Sequence, residues 1–266
     1  MIGCNDPGYL RDQQYRDASN LNARIEVHRR FSTNAYPWAL WVFDQFELPE
    51  TARVLEVGCG PGSLWQGNRD RIPAGWQITL SDFSAGMLAE ARSNLDQRFS
   101  FQQADIQQLP FDDDSFDAVI ANHMLYHVPD LDRGLREVRR VLKPDGKLYA
   151  ATNGLKHLAE IELLLQQFDP TLTGGFAIRG VFALENAAAL VGRHFEQVAL
   201  RRYEDSLIVT EAEPLAAYIC SGRIGEQIGS RRPALVAFLE AQIATHGAIP
   251  ITKSSGLFVA HKYTHM

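Results

Sequence analysis

Short apolar runs recur through the middle of the chain at 53–57 (RVLEV), 76–82 (WQITLSD), 99–105 (FSFQQAD), 116–122 (FDAVIAN) and 146–152 (GKLYAAT). Between most of them, at about 63–71, 84–96 and 131–142, the apolar positions fall at helical spacing. Strands apolar on both faces belong to sheets covered on both sides, and strands alternating with helices join through right-handed crossovers. The pattern predicts an α/β fold with a doubly wound, mostly parallel sheet. Upstream, 21–47 carries Leu21, Ile25 and His28, then Trp38, Trp41, Val42, Phe43 and Phe46, again at helical spacing. Tyr36-Pro37 divides this stretch into two helices, because the residue before proline is pushed out of the α region. Its aromatics read most simply as core, with one or two as candidates to line a ligand mouth.

After 152 the rhythm changes. The pattern predicts a helix at 154–167, a glycine-rich loop at 171–180, a helix at 181–191, strands at 195–203 and 206–210, helices near 213–221 and 231–246, and a last strand at 256–263. Residues 1–20 are polar and expected to be frayed. With no internal repeat or low-complexity linker, one domain is expected in three parts. These are N-terminal helices serving as part of a lid (1–52), a cofactor-binding core (53–152), and a remainder (153–266) with a helical insertion at about 211–247.

Composition narrows this picture. At 266 residues, 45% apolar and 22% charged, the chain is long enough for a sizeable core and unlike a disordered segment. The net charge of −6 and the lack of any Lys/Arg run count against a nucleic-acid partner. Cys4, Cys59 and Cys220 form neither a disulfide framework nor a metal spacing, which fits a reducing cytoplasmic compartment. No run of about 18 apolar residues suggests a membrane span.

The sharpest local feature is Glu56-Val57-Gly58-Cys59-Gly60-Pro61-Gly62, directly after the first strand and before a helix. Glycines let a backbone turn tightly and approach a ligand, and the carboxyl end of the first strand is where open α/β sheets bind ligands. A dinucleotide fingerprint needs G-x-G-x-x-G. Here the spacing is G-x-G-x-G with Ser63 in the third slot, so an NAD-dependent dehydrogenase is disfavoured. No phosphate-binding G-x-x-x-x-G-K-[ST] occurs. Asp82 ends the second strand, where a carboxylate can accept both hydroxyls of a ribose, and Asp105 ends the third, placed to accept from an adenine amine.

In order, E-V-G-C-G-P-G, L-S-D-F-S-A-G-M-L, A-D-I-Q-Q-L-P-F-D-D-D-S-F-D-A-V-I-A-N and L-R-E-V-R-R-V-L-K-P-D-G-K-L resemble the motifs of class I S-adenosylmethionine-dependent methyltransferases. They are most similar to the small-molecule group that includes the ubiquinone and menaquinone biosynthesis enzymes. The resemblance implies a seven-stranded Rossmann-like sheet whose final strand, 256–263, runs antiparallel beside the fifth. It implies S-adenosyl-L-methionine as cofactor and S-adenosyl-L-homocysteine as product. Glu56 and the backbone of Gly58, Cys59 and Gly60 would line the methionine part. Asp82 would hold the ribose, Phe83 and Met87 would flank the adenine, and Asp105 with the Ile106 backbone would read its edge. Asn122 and His123 would face the sulfonium and the acceptor, with the segments before the first strand and after the fifth closing over it.

The expected reaction is in-line transfer of a methyl group to a small-molecule acceptor, mainly through proximity and orientation. His123 is the candidate base, since an ordinary imidazole titrates near 6.5. His127 reads as structural and Tyr126 as core. His123 and His127 are spaced i, i+4, but the glutamate of H-E-x-x-H and a third ligand are missing, so no metal site is expected. Asp112-Asp113-Asp114 reads as a solvated turn. His157, Tyr203, Arg179 and Phe176 are lid positions that could touch the acceptor. Two alternatives remain: a protein that binds the cofactor without transferring methyl groups, and a nucleic-acid methyltransferase. The fourth strand ends Ala121-Asn122-His123-Met124 rather than in the N-P-P-Y turn used on flipped bases, which disfavours the latter. A monomer or homodimer is expected.

Overall fold

The computed structural model describes residues 19–172 and 180–263, with the side chains of 19–22 left aside. In chain order, the first elements are α1 (Ser19–Phe31), α2 (Trp38–Asp44), β1 (Arg53–Val57), α3 (Ser63–Gly67), β2 (Gln77–Asp82), α4 (Ala85–Asn94) and β3 (Phe99–Gln103). There follow β4 (Phe116–Asn122), α5 (Leu131–Val141), β5 (Leu142–Asn153), α6 (Ala159–Phe168), α7 (Ala187–Val191), β6 (Glu196–Tyr203) and β7 (Ser206–Val209). The last are α8 (Ala212–Cys220), α9 (Arg223–Ile228), α10 (Arg232–His246), β8 (Ile249–Thr252) and β9 (Ser255–His261).

Seven strands form one sheet in the order β3-β2-β1-β4-β5-β9-β6. β1 to β5 are parallel, and β9 runs antiparallel between β5 and β6, in the place expected of the last strand. The order reverses at β1, so the carboxyl ends of β1 and β4 flank the crevice where such sheets bind ligands.

Alternate side chains on each strand go to opposite layers. Val119, Ala121, Phe258 and Ala260 pack with α5 and α7 on one face. Ala118, Ile120, Leu257 and Val259 pack on the other with Val42, Leu64, Trp65 and Leu88 from α2, α3 and α4. A third core lies off the sheet. It joins Val27 and Phe31 of α1 to Ile161 and Leu165 of α6, Leu207 of β7, Leu215 of α8, Leu235 of α10 and Ile251 of β8. The two ends of the chain therefore share one helical cap, within which β7 and β8 pair as a separate antiparallel ribbon.

Several boundaries differ from the periodicity. The helix expected at 63–71 stops at Gly67, because the buried Asn68 turns its amide onto the carbonyls of Leu64 (2.8 Å) and Ala39 (2.9 Å). The helix expected at 154–167 begins only at Ala159, after Leu158 adopts a φ of +57°. That expected at 181–191 is reduced to α7, since the Asn186 side chain accepts from the Ala183 amide (2.7 Å) in a local turn. Strand β8 is an addition: Ile249 and Ile251 face inward while Pro250 faces out, an edge-strand use of proline in a segment too short to register as alternating. Helix α9 is likewise new. The expected loop at 171–180 lies largely outside the described residues.

Candidate active site

The glycine loop is tied down at both ends by main-chain bonds. The Cys59 amide donates to the Ser81 carbonyl (3.0 Å) and the Gly62 amide to the Cys59 carbonyl (3.1 Å). Gly58, Gly60 and Gly62 have φ of +65°, +54° and +80°. At Gly58 a Cβ would come within 2.8 Å of Cβ and Cγ of Met124, so a side chain is barred by conformation and by contact. This contact also places the loop against the segment that follows β4.

Asp82 clasps the loop. Its Oδ2 accepts from the Gly60 amide (2.9 Å) and its Oδ1 from the Ser84 amide (2.8 Å). Burial raises its pKa against those N–H donors and that of Phe83. A carboxylate has about four acceptor positions, so these three donors leave about one for an outside donor. Ser84 then caps α4, accepting from the Met87 amide (3.3 Å). Phe83 is exposed, at 38%, whereas Met87 is buried at 1% and presents no open surface. Asp105 is held by Gln107, whose amide nitrogen reaches both carboxylate oxygens (3.1 Å each) while its Oε1 accepts from the Asp130 amide at the start of α5 (3.0 Å). Ile106 is buried, its side chain in the sheet core.

Glu56 lies deeper than its neighbours, at 2% exposure, and accepts from Trp65 Nε1 (2.6 Å). Burial, aided by nearby Asp82 and opposed by the Trp65 donor, pushes its pKa up to about 8. Cys59 is buried too, and burial drives its thiol well above the ordinary range. Only its backbone serves the loop.

On the other side of the crevice, Pro37 sets the start of α2 and so projects Trp38 over the end of β4. Trp38 Nε1 donates to Asn122 Oδ1 (3.3 Å), and its ring lies 5.0 Å from that of His123 and 5.2 Å from that of Tyr203. His123 has a φ of +56°, and its shielded Nδ1 has no hydrogen-bond partner among the described residues. Burial, with the Lys253 ammonium adding to it, lowers its pKa to about 4. The ordinary imidazole expected from sequence is therefore corrected to one that is neutral at pH 7 and only weakly basic.

His28 is lowered further, to about 3, by burial and by Lys253 and His123, with Asp205 opposing. Lys253 itself is buried in an ion pair with Asp205. Burial opposes the Asp205 charge, but Lys253, the Ser32 hydroxyl and the Asn34 amide hold its pKa below the usual value.

Sequence reasoning did not single out Trp38 among the aromatics and missed Gln107 and Lys253. The Y-P-W helix start was the available signal for the first; the other two have none. Of the lid positions, Tyr203 joins the Trp38 cluster and His157 lines a cavity, while Phe176 and Arg179 lie outside the described residues. The acidic turn is more than solvated: Asp113 pairs with Arg140 and Asp114 with Lys262. No group of three or more potential metal ligands occurs among the described residues. No helix among them is long and apolar enough to cross a membrane.

Residues 55–150 match the family described as the methyltransferase domain. Methyltransferase GfsG of Streptomyces halstedii is 32% identical over 51% of this chain and 47% of its own length. Demethylmenaquinone methyltransferase of Clavibacter sepedonicus is 41% identical over 36% and 39%. The structure of Haemonchus contortus phosphoethanolamine N-methyltransferase 2 in complex with S-adenosyl-L-methionine shares the fold, with a TM-score of 0.61 and 19% identity over 97% of this chain and 60% of that one. Over residues 55–150 the chain is thus similar to the methyltransferase domains of S-adenosylmethionine-dependent enzymes, and the solved neighbour of the same fold is in complex with S-adenosyl-L-methionine. It spans about half or less of the length of the curated relatives it matches first. The residues fit that cofactor: Asp82 has an acceptor position to spare for a ribose hydroxyl, the loop has glycine at 58, 60 and 62, and Glu56 and Asp82 are carboxyl groups that a cation would help to ionise.

Proposed function

We propose that this protein transfers a methyl group from S-adenosylmethionine to a small-molecule acceptor. The observation that carries the reading is the clasp of Asp82 on the Gly60 and Ser84 amides, which preorganises a carboxylate beside the glycine loop. The bound cofactor supplies a methyl group on a sulfonium with a good thioether leaving group. In this reading the chain mainly positions. Asp82 holds the ribose, the backbone at Gly58 to Gly60 holds the methionine end, Asp105 and the Ile106 backbone address the adenine, and exposed Phe83 covers one of its faces. Asn122, His123 and Trp38 wall the place where the acceptor meets the methyl group and exclude water from it. Proximity and orientation of this kind contribute roughly 7–11 kcal/mol. Neutral His123 accepts a hydrogen bond from the acceptor rather than acting as a strong base. The net charge of −6 supports a small molecule over a nucleic acid.

The test has two steps. Calorimetry should detect S-adenosylhomocysteine binding, and methyl-labelled S-adenosylmethionine incubated with the protein and a cell extract should label the low-molecular-weight fraction. Absence of binding, or label confined to nucleic acid, would refute the proposal.

A further inference from the structure

A cavity of about 190 Å3 lies over the carboxyl ends of β4 and β5. At ~30 Å3 per water it has room for about six waters, or for one small organic molecule. Tyr126 and His127 line it from the segment after β4, and Thr152 and Asn153 from the end of β5. The cap closes it with apolar side chains, among them Leu158, Ile161, Ile219 and Ile224. Its position connects it to the crevice: Met124, two residues before Tyr126, is the residue the glycine loop touches, and His28 lies 6.3 Å from His157 and 6.0 Å from Tyr218 of the cavity wall.

The charge on this wall is one-sided. Arg24 lines the cavity, and among the described residues no carboxylate does. Arg24 donates from Nε to the Ser221 hydroxyl (2.9 Å) and from Nη2 to the Ser221 carbonyl (3.2 Å). These neutral oxygens fix the fork without cancelling its charge, and Arg24 forms no ion pair among the described residues. A second group registers the same field. Burial first, and then the Arg24 charge, lower the His127 pKa to about 4, so the floor carries a neutral imidazole. Lys253, the other cation nearby, is already matched by Asp205. A guanidinium held in place beside apolar walls favours an anion that can take the N–H donors left on Nη1 and Nη2.

We propose that this cavity is the acceptor site and selects a small, largely apolar molecule bearing one carboxylate or phosphate group, which Arg24 grips. Calling the ligand an acceptor rests on the methyl-transfer reading; anion binding can be measured without turnover. The full chain, with and without S-adenosylhomocysteine, is titrated calorimetrically with benzoate, phenyl phosphate and benzamide. At least one anion should bind tenfold or more tightly than the neutral amide, and the stronger arm tells carboxylate from phosphate. Arg24→Gln should weaken that anion at least tenfold while S-adenosylhomocysteine affinity stays within twofold, and Arg24→Lys should restore part of the loss. Equal binding of benzamide and both anions, no anion binding at all, or an unchanged Arg24→Gln would overturn the proposal. The wild-type comparison decides even if both variants unfold. Should S-adenosylhomocysteine fail to bind while benzoate binds, the methyl-transfer reading falls and the anion site stands.

Discussion

In the proposed reading, the sheet and the cap recognise ligands by different means. At the sheet, recognition is carried by strand ends and main chain: a glycine loop, a carboxylate one strand over, and amides that fix both. All of it comes from one continuous stretch, with spacings set by strand and helix lengths. The cap is assembled from α1 at one end of the chain, α6 in the middle, and β7 through β8 near the other end. Its ligand-facing groups are side chains on helices that meet only after folding. A common cofactor can thus be read from local geometry, whereas the acceptor is read by a surface with no fixed register in sequence.

Breaking the sheet side should have the largest effect. Asp82→Ala removes charge-assisted hydrogen bonds to the cofactor, at about 1.5–3 kcal/mol each. It also leaves the Gly60 and Ser84 amides without their carboxylate. We expect S-adenosylhomocysteine affinity to fall about a hundredfold or more by calorimetry. A loss under about fivefold would mean that Asp82 only braces the loop.

The cap should fail differently. Leu235 on α10 is fully buried in the cap core and distant in sequence from every cofactor motif. Leu235→Ala should cost about 2–4 kcal/mol of stability, read from urea unfolding. Cofactor affinity measured well below the transition should stay within about threefold. If it fell as far as in Asp82→Ala, the two regions would be one unit and the contrast between them wrong.

This contrast explains what could be read in advance. The order of strands and helices from 53 to 152 was legible because each element carries its own periodicity, and the stations at Gly58, Asp82 and Asp105 stand at strand ends. Asn68, Leu158 and Asn186 shortened helices through single side-chain or backbone choices that periodicity does not record. Lys253 and Asp205 meet from segments 48 residues apart, and Trp38 reaches Asn122 across 84. Such pairs have no signal in one sequence. The lowered pKa of His123 was equally hidden, since it follows from burial and from Lys253.

Acid should probe the seam between the regions, because His28, His123 and His127 all sit there. Their folded pKa values, about 3, 4 and 4, lie below the 6.5 of a free imidazole. As pH falls below about 6.5 the unfolded chain takes up protons that the folded rings refuse, so stability drops until the folded values are reached. Each ring is only partly buried, which limits its share to about 1–2 kcal/mol by pH 5. Glu56 acts in the opposite sense: its folded pKa of about 8 means the folded state keeps a proton that the unfolded state loses above about 4.5. Three rings against one carboxyl leave a net loss of roughly 1–3 kcal/mol between pH 7 and pH 5. The urea midpoint should fall accordingly, with amides of α1 and α8 losing hydrogen-exchange protection before those of β1 and β4. A higher midpoint at pH 5 would show that Glu56 dominates.

The smallest effect is expected at a single hydrogen bond beside the crevice. Trp38→Phe removes the indole N–H that meets Asn122 at 3.3 Å but keeps an aromatic ring beside His123 and Tyr203. The lost bond is long, and Asn122 is only partly buried and can turn to water, so stability should change by about 1 kcal/mol or less. Cofactor affinity should be unchanged within about twofold, because Trp38 makes no hydrogen bond to Asp82 or the glycine loop, which hold the cofactor in this reading. Methyl transfer is the sensitive readout, since the freed Asn122 carboxamide can rotate in the wall shared by cofactor and acceptor. A fall in turnover with no fall in S-adenosylhomocysteine affinity would place Trp38 on the acceptor side of the seam. Parallel losses in both would place it with the sheet.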